Sequence, residues 1–211
     1  MTLMVEHKKY GVPPYNRREI FRYAGMRVPS LEVEQLLDSC LGELAEKVNF
    51  QVCWARFPVK QIGMELDLSF MKTGSLDLQK MMRGCSGAVV FGATVGLEID
   101  RLIVRYSRIS PARALMFQAI GAERIEKLCD LFEHEIREEQ WKLGYAITPR
   151  FSPGYGDLPL ESQRAIFGVL DCPRKIGLTL NDSLLMTPTK SVTAIIGIGK
   201  YPEEKEDAAS G

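Results

Sequence analysis

The sequence predicts an α+β fold, and three observations support that class. Long stretches in the middle of the chain repeat apolar residues at the helical period of three to four. Segments of β-rich composition precede and follow these helices, which is the arrangement expected of α+β rather than alternating α/β proteins. The chain has 211 residues, of which 45% are hydrophobic, so it can bury the core of one large domain or two small ones.

The N-terminal part is predicted to contain two helices, a strand region and a third helix. Asn16 is a good N-cap for a short helix, and Ser30 opens a longer one in which leucine recurs near the helical period. The segment Met64–Phe70 alternates apolar and polar residues, which is typical of a half-buried strand. The predicted elements are an extended arm (1–15), helices (16–26, 31–48 and 76–84) and strands (50–60 and 64–70).

The remainder is predicted to contain one long helix among strands. Ser110 and Pro111 suit the cap and first position of a helix, and an apolar row spaced three or four apart then predicts helix to about residue 143. That row consists of Ile125, Leu128, Phe132 and Ile136. The other predicted elements are strands (86–91, 177–180 and 191–199), a helix from 92 to 106 with a glycine-rich entrance, and a helix from 160 to 171 ended by Pro173.

Composition excludes several classes of function. Basic and acidic side chains balance at 27 each, so no electrostatic footprint for nucleic acid or acidic lipid is expected. No apolar run approaches the roughly 20 residues that span a bilayer, and the first residues are too polar for a signal peptide. Five scattered cysteines predict reduced thiols in the cytoplasm, and two histidines leave little for metal or triad chemistry.

Two features of the sequence can be explained either by function or by structure alone. Gly92 and Gly96 fall near the end of a predicted strand, where backbone amides could cradle an anion, but their spacing fails the dinucleotide fingerprint and favours tight packing. Glu126, Asp130 and Glu133 recur at successive turns opposite the apolar row of the long helix. A solvated acidic face is the ordinary interpretation of such a row.

The segment Arg150–Pro159, RFSPGYGDLP, is the strongest candidate site. Arginine can hold a carboxylate with two hydrogen bonds, Pro153 stiffens the backbone, and Gly154 permits a positive φ. Tyr155 could lie against an adenine or a sulfonium cation. The residues suit a small zwitterionic ligand with an aromatic base, and the alternative is a structural turn in which Arg150 caps a helix and Tyr155 packs inward.

At this point the sequence resembles a known family. RFSPGYGDLP is similar to the R-x-x-P-G-Y segment of the S-adenosylmethionine-binding activation domain of cobalamin-dependent methionine synthase. Three further pieces resemble that domain in the same order: SGAVVFGATVGLEIDRL, IEKLCDLFEHEIREEQW and IGLTLNDSLLMTPTKSVTA. NRREIFRYAGMR resembles stand-alone relatives of the domain. The resemblance implies one C-shaped α+β domain around a twisted, largely antiparallel sheet.

The resemblance also implies a role as an accessory subunit that is not active alone. In the family, cob(I)alamin is occasionally oxidised to cob(II)alamin, an electron donor such as flavodoxin reduces it, and S-adenosylmethionine methylates the reduced form. A chain of this length would dock on a separate methionine synthase core that carries cobalamin and lacks its own activation domain. The activation domain contributes by positioning the methyl donor.

Carried onto this sequence, the resemblance assigns five residues. Arg150 would hold the methionine carboxylate, and the backbone at Ser152 and Gly154 would hydrogen-bond the adenosine part. Tyr155 would wall the pocket, and the charge of Glu126 would attract the ammonium or sulfonium. Residues 1–85 would form the arm, helices and first strands, residues 86–199 the activation-domain-like core, and residues 200–211 a disordered tail.

A second hypothesis stays open: a non-catalytic scaffold for a corrinoid protein that has lost S-adenosylmethionine. Its support lies in departures from the family pattern. The fused enzymes have an acid–histidine pair where this chain has Leu160 and Glu161, and a family tyrosine after the last strand has no clear counterpart after Ile198.

Overall fold

The computed structural model describes residues 4–200 and gives the following elements. The α-helices are α1 (Arg17–Tyr23), α2 (Leu31–Leu44), α3 (Leu76–Met81), α4 (Glu98–Tyr106), α5 (Pro111–Lys142), α6 (Ser162–Leu170) and α7 (Cys172–Ile176). The strands are β1 (Glu6–Lys9), β2 (Gln51–Pro58), β3 (Lys60–Ile62), β4 (Glu65–Asp67), β5 (Lys72–Thr73), β6 (Cys85–Thr94), β7 (Tyr145–Ile147), β8 (Thr179–Leu180), β9 (Met186–Thr187) and β10 (Ser191–Lys200).

A five-stranded antiparallel sheet organises the fold, with the strand order β1-β2-β6-β10-β7. The ten-residue strand β6 lies at its centre and pairs with β2 on one side and β10 on the other. A small sheet of β3, β4 and β5 and a hairpin of β8 and β9 complete the strands of the described residues. The predicted α+β fold around an antiparallel sheet is confirmed.

Both faces of the central sheet are buried, which explains why β6 reads as a continuous apolar run. Val89 and Phe91 face a core that includes side chains of α1, α2, α4 and α5. Ala88 and Val90 face a second core that includes side chains of α3, α6 and α7. Alternate residues of one strand therefore hold together two layers of helices.

The long helix α5 crosses one face of this sheet and confirms the predicted apolar row. Phe132 of that row packs against Phe91 and Trp54, with ring centroids 4.9 and 5.2 Å apart. Such tilted aromatic pairs add to the free energy of area burial. The four predicted residues are all buried: Ile125, Leu128, Phe132 and Ile136.

The helix boundaries were predicted better at caps than at glycines. Asn16 accepts a hydrogen bond from the Glu19 amide and caps α1 as predicted. The prediction of a helix that begins at Gly92 was wrong, because Gly92 lies inside β6 and α4 begins only at Glu98. A Cβ on Gly92 would stand 3.0 Å from the Cys172 Sγ, so tight packing is the reason for this glycine.

The strand predictions failed where strands are short. The alternating Met64–Phe70 segment forms only β4, because Ser69 takes a φ of 68° and turns the chain. The edge strands β1 and β7 were not predicted as strands, and both are short and partly polar. Pro173 does not end α6; it sits in the first turn of α7.

None of the helices in residues 4–200 is long and apolar enough to cross a membrane. Lys200 ends β10, and the rest of the predicted tail lies outside the described residues, so its disorder stays a prediction.

Candidate ligand-binding site

The backbone around Arg150 is fixed because it runs beside β10. The Thr148 amide donates to the Gly197 carbonyl at 3.0 Å, and Phe151 and Ile195 exchange two backbone hydrogen bonds of 2.9 Å each. These bonds continue the pairing of β7 past the end of that strand. Arg150 lies between the two anchor points, and its side chain reaches the acidic side of α5.

Three carboxylates of α5 surround the Arg150 guanidinium. Nη2 donates to Glu126 at 2.6 Å, and Nη1 donates to Glu133 at 2.8 Å and to Asp130 at 3.0 Å. The residues are spaced four and three apart, so one helix face presents them together. The acidic row is therefore more than a solvated face, although Asp130 keeps 60% of its side chain exposed.

The electrostatics of this cluster are net negative. Three carboxylates surround the Arg150 guanidinium, and Glu133 also contacts the Arg137 guanidinium at 3.3 Å, so the cluster keeps one excess negative charge. Burial lowers the pKa of Arg150, but Cys129 and the bonds to Asp130 and Glu133 outweigh burial, so the pKa lies above its ordinary value. The guanidinium is thus a permanent charge, and the one excess carboxylate can attract a cation.

The bend after Arg150 is closed by its own hydrogen bonds. The Gly154 amide donates to the Leu158 carbonyl at 2.8 Å, and the Tyr155 amide donates to the Ser152 carbonyl at 3.1 Å. Gly154 has a φ of +86°, and a Cβ there would stand 3.1 Å from Leu160 Cδ1. Glycine is required at this position for both reasons.

Asp157 fastens the bend to the start of α3. Its carboxylate accepts hydrogen bonds from the Ser75 hydroxyl and from the amides of Leu76 and Asp77. The bond from Ser75 is the largest cause of a lowered Asp157 pKa. Gly156 beside it has a φ of +54°, which favours glycine, and a Cβ there would force the Asp77 carboxylate to move.

An open cleft of about 690 Å³ lies on one side of Arg150. Arg150, Glu126 and Asp130 line the cleft together with two aromatic residues, Tyr15 and Tyr23, and the further lining residues include the cations Arg17, Arg22 and Lys127. This volume is in the range of small-molecule sites.

The predicted residues divide between two places. Arg150 and Glu126 meet in the cleft, whereas Ser152, Gly154 and Tyr155 lie on the adjoining bend and do not line it. Tyr155 is 69% exposed, and its ring meets the edge of Phe151 at a centroid distance of 5.3 Å. The alternative of an inward-packed tyrosine is therefore wrong.

A buried ion pair holds the N-terminal arm, which contributes Pro14 and Tyr15 to the lining of the cleft. Arg124, with no exposed surface, donates to Glu123 and to the carbonyls of Pro13 and Pro14 at 2.7 and 3.0 Å. Its guanidinium also lies 4.2 Å from the Tyr15 ring centroid. Glu123 accepts from the Asn16 amide at 3.1 Å, so both members of the pair fix the arm.

Sequence reasoning missed this pair, although a signal was present. Phe117, Ile120, Arg124 and Leu128 are spaced three or four apart on the buried side of α5. A charged residue at an apolar-face position predicts a buried and partnered group. The partners could not be inferred, because they are backbone groups more than a hundred positions away in the chain.

The fold and the site therefore define a class: an α+β domain with an open cleft lined by charged side chains. Residues 4–200 contain no group of three or more His, Cys, Asp or Glu side chains placed to hold a metal ion. The charged side chains that line the cleft offer charge pairing with a ligand.

Comparison with known proteins identifies the family. The family model described as the activation domain of vitamin B12 dependent methionine synthase matches residues 81–203, which is more than half of the chain. The chain belongs to this family. The match includes Arg150, Glu126 and the bend between β7 and α6.

Two individual relatives agree with this assignment. Methionine synthase of Mycobacterium tuberculosis (strain ATCC 25618 / H37Rv) is 30% identical over 112 residues, which are 53% of this chain and 9% of that protein. The crystal structure of the MetH reactivation domain bound to AdoHcy superposes with a TM-score of 0.70 at 17% identity, covering 95% of this chain and 80% of that chain. The second likeness shows the fold, and the first spans less than a tenth of its relative.

Proposed function

We propose that this chain is a stand-alone activation subunit that binds S-adenosylmethionine and presents its methyl group to the cobalamin of a separate methionine synthase core. The observation that carries the proposal is the meeting of Arg150 and Glu126 in one cleft of a chain that belongs to the activation-domain family. These are the two side chains that the family resemblance assigns to the charged end of the ligand. The related reactivation domain has been solved with AdoHcy, the demethylated form of this ligand.

The charge of the site fits a sulfonium ligand. S-adenosylmethionine carries a sulfonium, an ammonium and a carboxylate, so it is a net cation. Four acidic and four basic side chains line the cleft, and the excess of negative charge is local to Arg150, where Glu126 and Asp130 favour the cationic groups of the ligand. Glu126 and Asp130 face the cleft and supply this attraction.

The bend supplies acceptors to the adenosine part in this proposal. The Gly154 amide already donates to Leu158, and the Ser152 carbonyl already accepts from the Tyr155 amide, so the acceptors on offer at the bend are the Gly154 carbonyl and the second lone pair of the Ser152 carbonyl. A carbonyl can accept from an exocyclic amine or a ribose hydroxyl. The exposed Tyr155 ring stands on the Phe151 edge, where it can wall the ligand.

The contribution of the chain to methylation is binding and orientation. Reduced cobalt in the partner's corrinoid supplies the nucleophile for the methyl group. Arg150 and Glu126 fix the amino-acid end, and the bend fixes the nucleoside end, so that the methyl group is held in one place and direction. A flavodoxin-like electron donor and a cytoplasmic location complete the proposal.

A second function has one observation in its favour. Arg150 already has three carboxylate partners, as expected if it has become a structural ion pair in a non-catalytic scaffold. Such a protein would dock on a corrinoid protein without binding the methyl donor.

Methyl transfer distinguishes the two functions. The protein is mixed with a cob(II)alamin-loaded methionine synthase core lacking its activation region, a one-electron chemical reductant and methyl-labelled S-adenosylmethionine. We expect label on the corrinoid, and at least about tenfold slower labelling with Arg150→Ala. Arg174→Ala is the matched control, because the Arg174 side chain is 87% exposed and remote from the cleft lining. Docking without label transfer supports the scaffold and contradicts the proposal.

A further inference from the structure

The three carboxylates on Arg150 are not equivalent. Glu133 keeps only 14% of its side chain exposed, does not line the cleft and also accepts from Arg137 at 3.3 Å. Asp130 keeps 60% exposed and makes the longest of the three contacts, 3.0 Å. Glu133 therefore braces the guanidinium from behind, whereas Asp130 is the partner that is held most weakly.

Glu133 and Asp130 share one nitrogen, Nη1 of Arg150. Nη1 has two hydrogens and both are used, whereas Nη2 keeps one, so a carboxylate that binds Nη1 and Nη2 together with two hydrogen bonds must displace Glu133 or Asp130. Asp130 lines the cleft, whereas Glu133 does not, and a ligand in the cleft meets Asp130 first. An exposed aspartate can turn away by a rotation about χ1.

We propose that Asp130 occupies the place of the ligand's carboxylate on Arg150 in the ligand-free protein and pairs with the ligand's α-ammonium once that carboxylate has displaced it. This inference rests on the proposed binding of S-adenosylmethionine and assigns a specificity-determining residue to the same site. The exchange keeps every charge paired: Arg150 trades one carboxylate for another, and the displaced Asp130 gains a cation.

The exchange makes the cleft selective for a complete amino-acid end. A ligand without the carboxylate leaves Asp130 on Arg150, so its ammonium finds no released partner. A ligand without the ammonium would leave Asp130 displaced beside the negative charge of Glu126. Two carboxylates four residues apart on one helix repel each other, so such a ligand would bind weakly.

The inference is tested by measuring two ligands, with and without the carboxylate, against variants of the protein. Affinities of S-adenosylmethionine and decarboxylated S-adenosylmethionine are measured by equilibrium dialysis and by displacement of the labelled compound. The proteins are the wild type, Asp130→Asn and the control Glu138→Gln, which removes the same charge from an exposed position about two turns along α5 and outside the cleft. Thermal unfolding verifies that each variant is folded.

We expect Asp130→Asn to weaken S-adenosylmethionine about tenfold and to change the decarboxylated compound less than about twofold. Glu138→Gln should change neither. Unchanged or tighter binding of S-adenosylmethionine by Asp130→Asn, or an equal loss with Glu138→Gln, overturns the inference and leaves the proposed function standing. Wild-type protein that binds no S-adenosylmethionine overturns both.

Discussion

Removal of Arg124 should destabilise the protein far more than removal of an exposed arginine of the same helix. In Arg124→Ala, the carboxylate of Glu123, which is 4% exposed, loses its cation inside the protein. Two arm carbonyls, those of Pro13 and Pro14, lose their donor as well. Breaking a buried ion pair by removing one partner costs about 3–5 kcal/mol of unfolding free energy.

The expected loss of stability is large relative to the total free energy of unfolding. Domains of this kind unfold with a free energy of about 5–15 kcal/mol, so the variant should lose a substantial share of its stability. Because Arg124 also lies under the Tyr15 ring, the arm should detach before the rest of the fold. Urea unfolding followed by far-ultraviolet circular dichroism measures the first effect, and hydrogen exchange of residues 10–16 measures the second.

Two further variants test whether the loss of the buried ion pair causes the destabilisation. Arg137→Ala is the matched control on α5, since its contact with Glu133 is 3.3 Å long and the Arg137 side chain is 52% exposed, and it should cost at most about 1 kcal/mol. The double variant Glu123→Leu with Arg124→Met removes both charges and should recover much of the loss. If Arg124→Ala cost no more than Arg137→Ala, the buried pair would not hold the arm.

Three other expectations concern sites away from the cleft. Gly92→Ala should lower the unfolding free energy by about 1–3 kcal/mol, because the new Cβ meets Cys172 Sγ at 3.0 Å; an unchanged urea midpoint would show that the sulfur can move aside. Burial, and then the hydrogen bond to Glu135, raise the pKa of Tyr10, so the unfolded chain loses this proton first and stability falls as the pH rises above about 10. Tyr10→Phe should flatten that alkaline loss of Tm, and an identical pH profile would contradict the assignment. Asp157→Ala should speed hydrogen exchange at the first amides of α3, and equal rates would mean that the carboxylate does not hold them.

The sequence was most informative where local chemistry decides the structure. The apolar row of α5 follows from helical spacing alone, and the Asn16 cap needs only residues within one turn. The candidate segment was recognised for the same reason, since Pro153 and Gly154 restrict or free the backbone wherever they occur. The fold class followed from these elements together with the strand composition.

Long-range partners decided the parts that could not be predicted. β7 exists because β10 pairs with it, and its three residues have no pattern of their own. The acidic row of α5 has the same spacing whether it faces water or an arginine, and only the fold brings Arg150 beside it. The pairing of Arg124 with the arm depends on contacts across more than a hundred residues.

The central claim is that the cleft beside Arg150 binds S-adenosylmethionine, and a calorimetric titration tests it most directly. We predict measurable heat with one ligand per chain, and a loss of at least about 1.5 kcal/mol of binding free energy in Arg150→Ala, as expected for charge-assisted hydrogen bonds. Folded wild-type protein that gives no heat at saturating ligand, or a folded Arg150→Ala variant that binds as tightly as the wild type, would contradict the account.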